Sequence, residues 1–384
     1  QLIETMLLLL INHQSLIATK ANRIVRAAQG CAISEFGSRR AQGASGAVLG
    51  ARAAYIGGCA GTACVIADEL YGVPATGTMA HSWVQMFDSE FEAFESYCRT
   101  YPDTSTLLVD TYNVLKSGVP NAIKAFDNVL KPLGKRPCGI RLDSGDIAYL
   151  SREARKMLDE AGYPDCKIVA SNSLDERIIS DLLRQGAAID LFGVGERLIT
   201  ASSEPVFGGV YKLAAVEENG VITPKIKLVA VEDKDGNVVP KIKISENVGK
   251  ITTPHFKKLY RIYESNGKAI ADQLCVYDET IDPSKPLTLF DPDFTWKKKT
   301  LTDFTVRELH VPVFKNGELV YDKPSLQDIR SYCKQQIDTL WDEVLRFENP
   351  HNYYVDLSRK LWDIKHELLD NGGVLRARDG RERS

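Results

Sequence analysis

The sequence predicts an α/β fold: an irregular, TIM-like α/β barrel followed by a β-rich accessory domain and C-terminal helices. Short apolar segments alternate with helical stretches over the first part of the chain, and these segments end in polar residues and glycines. Asn-Gly and Asp-Gly dipeptides then separate segments of alternating polarity. From these changes we predict three domains, covering residues 1–212, 213–322 and 323–384.

The barrel is predicted from six strand-like segments, which begin near Cys31, Val73, Thr106, Cys138, Lys167 and Ile189. Strands that alternate with helices are typical of βα units and a parallel sheet. Most of the successive predicted strands are followed by polar residues. This favours a barrel, because the active site of a barrel is built at the carboxyl ends of its strands. An open doubly wound sheet is the alternative, and it gathers its ligand groups at one switch point.

The regions around the first strand are predicted from spacing and residue size. The stretch before Cys31 has helical apolar spacing, in two predicted pieces separated near residues 12–15. Residues 41–67 are crowded with glycine and alanine, which suit closely packed elements. Their glycines do not give Gly-x-Gly-x-x-Gly after a strand, so a dinucleotide-binding site is disfavoured.

The second half of the chain is predicted to contain hairpins and then helices. Tight hairpin turns are favoured at Asn219-Gly220, Asp235-Gly236, Asn266-Gly267 and Asn316-Gly317. Ser325 can cap a helix, with Asp328 at its third position, and a second helix is predicted over residues 354–369. Both helices are interpreted as packing elements.

Composition excludes several classes of partner. With 48 Lys and Arg against 51 Asp and Glu, the net charge of -3 gives no broad attraction for nucleic acid or an anionic membrane. The longest apolar run near the start, 6–11, is too short to cross a bilayer, and we expect no signal peptide. Eight scattered cysteines without a Cys-x-x-Cys pair favour reduced thiols. We therefore expect a cytoplasmic protein that binds neither nucleic acid nor membrane.

Four polar clusters follow predicted strands, at residues 35–40, 78–82, 141–146 and 193–200. In a barrel they would converge on one rim. Arg141, Asp143 and Asp146 place a cation beside carboxylates, which can accept ribose hydroxyls, ligate Mg²⁺ or stabilise positive charge on a sugar ring. A strand-end ion pair with a helix cap explains this segment equally well.

Other residues suggest the shape of a ligand. A guanidinium can pair with a carboxylate at two points, and Phe36 offers an aromatic face to a flat heterocycle. Gly193-Val194-Gly195 before a helix leaves backbone N–H groups for a phosphate, although a plain βα turn explains it as well. The combination predicts a flat anionic heterocycle, a ribose and a phosphate, with His81 nearby.

Several motifs stand in a fixed order along nearly the whole chain: Ser34–Gly43, Gly77–Ser82, Val109–Tyr112, Ile140–Asp146, Phe192–Gly195 and Gly208–Leu213. They closely resemble the nicotinate phosphoribosyltransferase family, and nicotinamide phosphoribosyltransferase shares only a looser version. The resemblance implies a type II phosphoribosyltransferase barrel and a head-to-tail homodimer with sites at the interface. It also implies that nicotinate and 5-phosphoribosyl-1-diphosphate react with Mg²⁺ and coupled ATP hydrolysis, the first step of NAD salvage from nicotinate.

The resemblance implies a role for each candidate residue. His81 and Asp143 are the predicted catalytic residues. His81 matches the family histidine that ATP phosphorylates, so it would become a phosphohistidine beside Thr78 and Ser82. Asp143, together with Asp110, would stabilise the positive charge that develops at the ribose.

The same resemblance implies the substrate contacts. Arg141 would hold nicotinate with Thr78 nearby, while Phe36 and Arg39 would flank that pocket. The ribose and phosphate would be lined by Ser171, Asn172, Gly193, Gly195 and Thr200. The motifs do not indicate which residues hold Mg²⁺.

Two departures from the family pattern matter. Glu196 stands where many relatives have threonine, and we expect its carboxylate to turn away from a phosphate. The chain also opens at Gln1, inside a helical pattern, so we expect an N-terminally truncated chain without the family's N-terminal segment, which supplies an aromatic ring across the dimer. Two alternatives remain, a quinolinate-type decarboxylating transferase and an inactive barrel that serves as a binding partner.

Overall fold

The computed structural model describes residues 2–226, 228–232, 234–235, 238–242 and 251–370. The chain divides into two compact units, Gln1–Gly209 with Pro324–Lys334, and Val210–Lys323 with Gln335–Ser384. The three domains expected from the sequence, with boundaries at 212 and 322, stay a prediction, because contacts within one chain do not test which parts fold alone.

The first unit is built on a six-stranded parallel sheet. Its strands are β1 (Ala32–Glu35), β2 (Gly61–Thr62), β3 (Thr106–Leu108), β4 (Gly139–Leu142), β5 (Lys167–Ser171) and β6 (Leu191–Val194). They lie in the order β2-β1-β6-β5-β4-β3. Consecutive strands are therefore neighbours from β3 to β6, and β6 lies beside β1, as in an α/β barrel. A doubly wound sheet would reverse direction at a switch point, so the TIM-like α/β prediction is confirmed.

The strand predicted near Val73 differs from what the structure shows. The pairing strand is β2, and the predicted segment contributes only one parallel bridge, between Ala75 and Thr62. Pro74 has no N–H to donate, which limits pairing on this segment, although its carbonyl accepts the Thr62 N–H at 3.0 Å. A Cβ on Gly61 would lie 2.7 Å from that carbonyl oxygen, so a glycine that resembles a linker is in fact part of the sheet.

Helices connect and cover these strands. They are α1 (Leu2–Ala27), α2 (Ala44–Ile56), α3 (Val65–Tyr71), α4 (His81–Val84), α5 (Glu90–Thr100), α6 (Val119–Ala125), α7 (Ile147–Glu160), α8 (Glu176–Arg184) and α9 (Glu196–Ile199). The largest core cluster contains Phe94, Phe126, Leu107, Ile140 and Leu158, which are fully buried. In the described part of the chain, no helix combines the length and the apolar character that a membrane span requires.

Helix α1 is continuous, so the predicted break near residues 12–15 is wrong. That stretch contains neither glycine nor proline, and two of its polar side chains have partners elsewhere in the first unit. Asn12 Oδ1 accepts the Phe207 N–H at 2.7 Å, and Gln14 Oε1 accepts from Arg52 Nη1 at 2.6 Å. These side chains therefore bind neighbouring segments instead of ending the helix.

The second unit is rich in β-structure, as predicted. Its strands are β7 (Ala215–Glu218), β8 (Val221–Pro224), β9 (Leu228–Glu232), β10 (Val238–Ile242), β11 (Lys257–Glu264), β12 (Ala269–Val276), β13 (Leu287–Phe290), β14 (Lys298–Leu301), β15 (Phe304–Glu308), β16 (Phe314–Lys315), β17 (Glu318–Leu319) and β18 (Tyr354–Leu357). A four-stranded sheet has the order β15-β11-β12-β18, and β7-β8, β9-β10, β13-β14 and β16-β17 form two-stranded sheets.

The predicted hairpin turns are confirmed where the structure describes them. Asn219 and Gly220 have φ of 52° and 78°, the left-handed pair that a type I′ turn requires between β7 and β8. Asn316 and Gly317 repeat this pattern between β16 and β17, with φ of 51° and 83°. Asn266-Gly267 joins β11 to β12. Of the remaining pair, Gly236 lies outside the described residues.

The C-terminal elements confirm one prediction and correct another. Helix α10 (Leu326–Asp338) begins as expected, with the Asp328 N–H donating to Ser325 Oγ at 3.1 Å. The helix predicted over 354–369 is instead strand β18 followed by α11 (Arg359–Asp370). Strand β18 pairs in parallel with β12, because β12 offers an open edge to a Tyr-Val-Asp-Leu segment that suits a strand.

Candidate active site

Arg141 is the centre of a hydrogen-bonded cluster at the carboxyl ends of the parallel strands. Its Nε donates to Ser171 Oγ at 2.8 Å, Nη1 donates to Thr78 Oγ1 at 2.9 Å and Nη2 donates to Asp143 Oδ1 at 2.9 Å. The guanidinium therefore joins β4 to the end of β5 and to the segment before α4. Three of its N–H groups are used in these bonds, and a guanidinium has about five, so two have no partner among the described residues and remain for a ligand.

Asp143 is held as a carboxylate. Burial acts to raise its pKa, but the hydrogen bond from the Ser171 hydroxyl and the charge of Arg141 outweigh it, so the pKa lies below the usual value. His81 adds a smaller effect in the same direction. A carboxylate with a lowered pKa stays charged throughout the neutral range and can stabilise a developing positive charge.

Asp110, which follows β3, is the most deeply buried acid of the cluster. Its side chain is 1% exposed, and Oδ2 accepts the Asp143 N–H at 2.9 Å and the Ser144 hydroxyl at 2.6 Å. Its other oxygen, Oδ1, is buried and has no hydrogen-bond partner among the described residues. An acceptor of this kind is destabilising unless a ligand supplies a hydroxyl or a cation.

His81, at the start of α4, faces both acids. Its Nε2 lies 3.7 Å from Asp143 Oδ2 and 3.9 Å from Asp110 Oδ1, while Nδ1 lies 3.1 Å from Thr111 Oγ1. The imidazole is 41% exposed, so one part of the ring contacts the cluster and another is open to solvent. An accessible imidazole near two carboxylates suits proton or phosphoryl chemistry.

Phe36 provides the aromatic face of the site. Arg141 Cζ lies 5.6 Å from the centre of its ring, and the Phe36 N–H donates to the Val194 carbonyl at 2.8 Å. A Cβ on Gly193 would overlap the Phe36 ring, and a Cβ on Gly37 would lie 2.6 Å from the Gly195 carbonyl oxygen. Gly193, one of the predicted phosphate-loop glycines, therefore has a packing role, since it lets the ring lie against β6.

Two further residues, Glu35 and Thr62, organise the turn that carries Phe36. Glu35 is fully buried at the end of β1, and its carboxylate accepts the Gly37 N–H and the Thr62 hydroxyl, the latter at 2.6 Å. Burial raises the pKa of Glu35, and these two hydrogen bonds oppose that effect only in part. In the sequence, Glu35 stands out only as a charged residue at the end of a predicted apolar strand. Nothing in the sequence indicates Thr62.

Four predicted contact residues lie outside this cluster. Arg39 and Ser82 are exposed, and no hydrogen bond or ion pair to the cluster is found for either within the described residues. Asn172 is exposed with a φ of 88° and accepts from Ser173 Oγ at 3.1 Å. Thr200 donates its hydroxyl to a helical carbonyl at 2.8 Å. Their roles stay predictions.

Glu196, the departure from the family pattern, is paired with a neighbouring charge. Its Oε2 lies 2.8 Å from Arg40 Nη1, and both side chains are more than half exposed. The ion pair offsets part of the negative charge beside the turn after β6, although the benefit of an exposed pair is small.

A cation could be held by the acids of the cluster together with a ligand. The described residues contain no group of three or more Asp, Glu, His or Cys side chains arranged for a metal ion. Mg²⁺, however, is commonly held by one or two carboxylates and the phosphates of a substrate. The free oxygen of Asp110 and the carboxylate of Asp143 fit that requirement.

Comparisons with known proteins show which family the chain resembles. Residues 31–266 match the model of the nicotinate phosphoribosyltransferase (NAPRTase) family, and residues 256–365 match the nicotinate phosphoribosyltransferase C-terminal domain. The chain is 46% identical over 372 residues to nicotinate phosphoribosyltransferase of Bacillus subtilis, covering 96% of this chain and 72% of that protein.

Two crystal structures share the fold. Human nicotinic acid phosphoribosyltransferase superposes with a TM-score of 0.73 and 26% identity, covering 92% of this chain and 74% of that one. A nicotinate-nucleotide pyrophosphorylase from Pyrococcus furiosus superposes with a TM-score of 0.62 and 25% identity, covering 88% of this chain and 73% of that one. The fold, its barrel-like strand order and the β-rich accessory region are therefore shared with these proteins.

Proposed function

The chain belongs to the nicotinate phosphoribosyltransferase family, and we propose that it joins nicotinate to 5-phosphoribosyl-1-diphosphate to form nicotinate mononucleotide and diphosphate. This reaction is the first step of NAD salvage from nicotinate. The observation that carries the assignment to this site is the Arg141 cluster, which places a guanidinium with two unused N–H groups beside an aromatic ring and two carboxylates.

Nicotinate would bind through its two distinct parts. Its carboxylate would accept the two remaining Arg141 N–H groups, since a guanidinium and a carboxylate are matched for a two-point contact. Its flat ring would pack against Phe36, which already lies under the guanidinium. The Thr78 and Ser171 hydroxyls hold Arg141 in place, so the guanidinium is oriented before the substrate arrives.

The chemical step makes one bond and breaks one. The nicotinate ring nitrogen bonds to C1 of the ribose, and the bond from C1 to the diphosphate oxygen breaks, with the electron pair leaving on diphosphate. Positive charge grows on the sugar as this bond weakens. Asp143, which stays ionised, and Asp110, whose Oδ1 has no partner among the described residues, are placed to stabilise that charge.

The ribose-phosphate part would lie along the ends of β5 and β6. We assign its contacts to Ser171, Asn172, Gly193, Gly195 and Thr200, as the resemblance implies. Asp110 Oδ1 would hold Mg²⁺ together with the phosphates of the donor, which leaves the Asp143 carboxylate to face the ribose. When bound, that ion would neutralise negative charge on the leaving diphosphate.

ATP coupling is proposed to act through His81. An imidazole nitrogen would attack the γ-phosphorus of ATP, with ADP as the leaving group, and water would later release phosphate from the phosphohistidine. The exposed part of the ring leaves room for a nucleotide. The added charge and acceptor oxygens beside Thr78 and Ser82 would order the loops around the donor.

We propose further that the active form is a cytoplasmic homodimer with sites at the subunit interface. Helix α1 supports an association surface, because it exposes Ile3, Met6 and Leu9 at 72%, 63% and 64%. Apolar groups exposed together in this way are typical of interfaces. Sedimentation at several protein concentrations would detect the dimer, and a monomer throughout would contradict it.

The proposed reaction is tested by product formation. The chain is incubated with 5-phosphoribosyl-1-diphosphate, Mg²⁺, ATP and either nicotinate or quinolinate, and nucleotides are separated by chromatography. We expect nicotinate mononucleotide from nicotinate and no release of carbon dioxide from quinolinate. Product from quinolinate alone would favour the decarboxylating alternative. Absence of product from both, with intact binding of the donor, would favour the inactive barrel.

His81→Ala is expected to remove the effect of ATP more completely than it removes nucleotide formation. The rim still holds both substrates, so the rate without ATP should fall by no more than about tenfold, while stimulation by ATP disappears. The stimulation is measured as the ratio of the rates with and without ATP. Phosphorylation of His81 is measured as acid-labile phosphate on the protein. His310→Ala, at an exposed histidine of the other unit, is the control. Equal loss of both activities would show that the assigned role of His81 is wrong.

A further inference from the structure

A cavity of about 620 Å³ lies within the unit formed by Val210–Lys323 and Gln335–Ser384. Strands β12, β13, β14 and β18 border it, together with the segment that follows α10. Its volume is in the range of pockets that enclose small organic molecules. None of the residues assigned to the proposed reaction lines it.

Part of the cavity wall is aromatic. Phe290, Trp341, Tyr353 and Tyr354 contribute rings to the lining. The hydroxyl of Tyr353 already donates to Asp272 at 2.8 Å, so this side chain offers mainly its ring to the cavity. Such a wall favours a flat or apolar body over a strongly hydrated one.

One buried carboxylate in this wall has no partner among the described residues. Asp356, on β18, is 5% exposed and lines the cavity, and no hydrogen bond or ion pair to its carboxylate is found within the described ranges. Burial and the nearby charge of Asp291 raise its pKa to about 6. The Asp356 oxygens are not among the fully enclosed unpartnered atoms of the described residues, so a molecule in the cavity can reach them. A carboxylate that is largely removed from water and has no donor is less favourable than one in water.

Neighbouring groups do not supply the missing donor. Asp291 Oδ1 accepts the backbone N–H groups of Asp293 and Phe294 at 2.9 and 3.0 Å, and a second carboxylate adds repulsion. Among the lysines of the lining, Lys299 pairs with Glu264 at 3.1 Å, and Lys297 lies 4.4 Å from the Phe294 ring. Lys298 also lines the cavity, and within the described residues no lysine forms an ion pair with Asp356, so a cation bound in the cavity could supply the positive charge.

We propose that this cavity binds a small organic cation. Its flat, largely apolar body would pack against Phe290 and Trp341, and an amidinium or ammonium group would donate to Asp356. An amidinium has the planar, two-donor geometry that pairs best with a carboxylate. The proposal concerns a second site and does not rest on the reaction proposed for the barrel.

Benzamidine tests this chemistry, because it combines a benzene ring with an amidinium group. Benzamide has the same shape and no charge, so it is the matched ligand. Calorimetric titration of the whole chain at pH 7.5 should give saturable binding of benzamidine, with benzamide about tenfold to a hundredfold weaker. Equal binding of the two molecules, or no saturable binding of benzamidine, would overturn the proposal.

Asp356→Asn locates the site. It should weaken benzamidine binding by about tenfold or more, whereas Asp303→Asn, the same change at an exposed aspartate of this unit, should leave it unchanged. Benzamidine should also quench tryptophan fluorescence in the native chain and lose most of that effect in Trp341→Phe. Unchanged binding by the Asp356 variant would overturn the assignment.

A stability measurement separates lost binding from misfolding. The pKa of Asp356 is raised from 3.8 to about 6, so the folded state holds the proton more tightly than the unfolded state does. This group therefore makes folding less favourable as pH rises from about 4 to about 6, and the full penalty is present above that range. Asp356→Asn should accordingly raise the melting temperature at pH 7.5 while it lowers binding. A lower melting temperature would show that Asp356 is a structural acid and not a ligand-binding one.

Discussion

Asp143→Asn is expected to lower kcat about 100- to 1,000-fold with little change in the KM for nicotinate. The amide keeps the shape of the side chain and an oxygen that can accept from Arg141 and Ser171. It loses only the charge, which the lowered pKa of Asp143 maintains throughout the neutral range. Because positive charge develops on the ribose mainly in the transition state, that loss should appear in kcat.

Steady-state rates of nucleotide formation at saturating ATP measure this effect. Asp146→Asn is the matched control, because Asp146 lies three residues away and caps α7, with Oδ1 accepting the Tyr149 N–H at 3.0 Å. Asparagine caps a helix about as well as aspartate, so this variant should keep its activity. A similar loss in both variants would mean that the loop geometry, and not the charge of Asp143, limits the rate.

Arg141→Lys is expected to lower kcat/KM for nicotinate by about 100-fold, mostly through a higher KM. Arg141 donates to Ser171, Thr78 and Asp143 at once, and two N–H groups remain for the substrate. A lysine ammonium has three donors and no planar fork. It cannot hold three partners and also contact a carboxylate at two points.

The effect should depend on the charge of the substrate. Nicotinamide has the same ring without the carboxylate, so the ratio of kcat/KM for nicotinate over nicotinamide should fall by about the same factor as kcat/KM for nicotinate. Arg136→Lys provides the control, at an exposed arginine paired with Asp165. If the ratio is unchanged in Arg141→Lys, the guanidinium organises the strand ends without binding the substrate.

The predicted parts of the fold are those that depend on local chemistry. Asn219-Gly220 and Asn316-Gly317 form the expected turns because both residues of each pair tolerate positive φ. Strands β3 to β6 were predictable because short apolar runs end in polar residues. Ser325 and Asp328 correctly predicted the start of α10, because the cap is a hydrogen bond between residues three apart.

The errors arise where a distant partner decides the conformation. The apolar spacing of α11 predicts a helix that begins at residue 354, but residues 354–357 pair with the open edge of β12 instead. Helix α1 continues through polar residues because Asn12 and Gln14 find partners far along the chain. Strand β2 was not predicted because its first residue is Gly61, which has no strand-like side chain. Glycine is needed there because a Cβ would lie too close to the Pro74 carbonyl oxygen.

The candidate site shows the same division. The sequence alone indicated the α/β class, the hairpins and Arg141 and Asp143 at the end of a strand, because these follow from periodicity and from motifs along one segment. It also indicated His81 as a candidate, although His81 lies at the start of α4 and not at a strand end. Only the tertiary structure decided that Thr62 supports the Phe36 turn through Glu35, and that Asp356 faces an aromatic cavity without a partner among the described residues. Hydrogen bonds and burial join residues that are remote in sequence, so their partners are set by packing and not by local pattern.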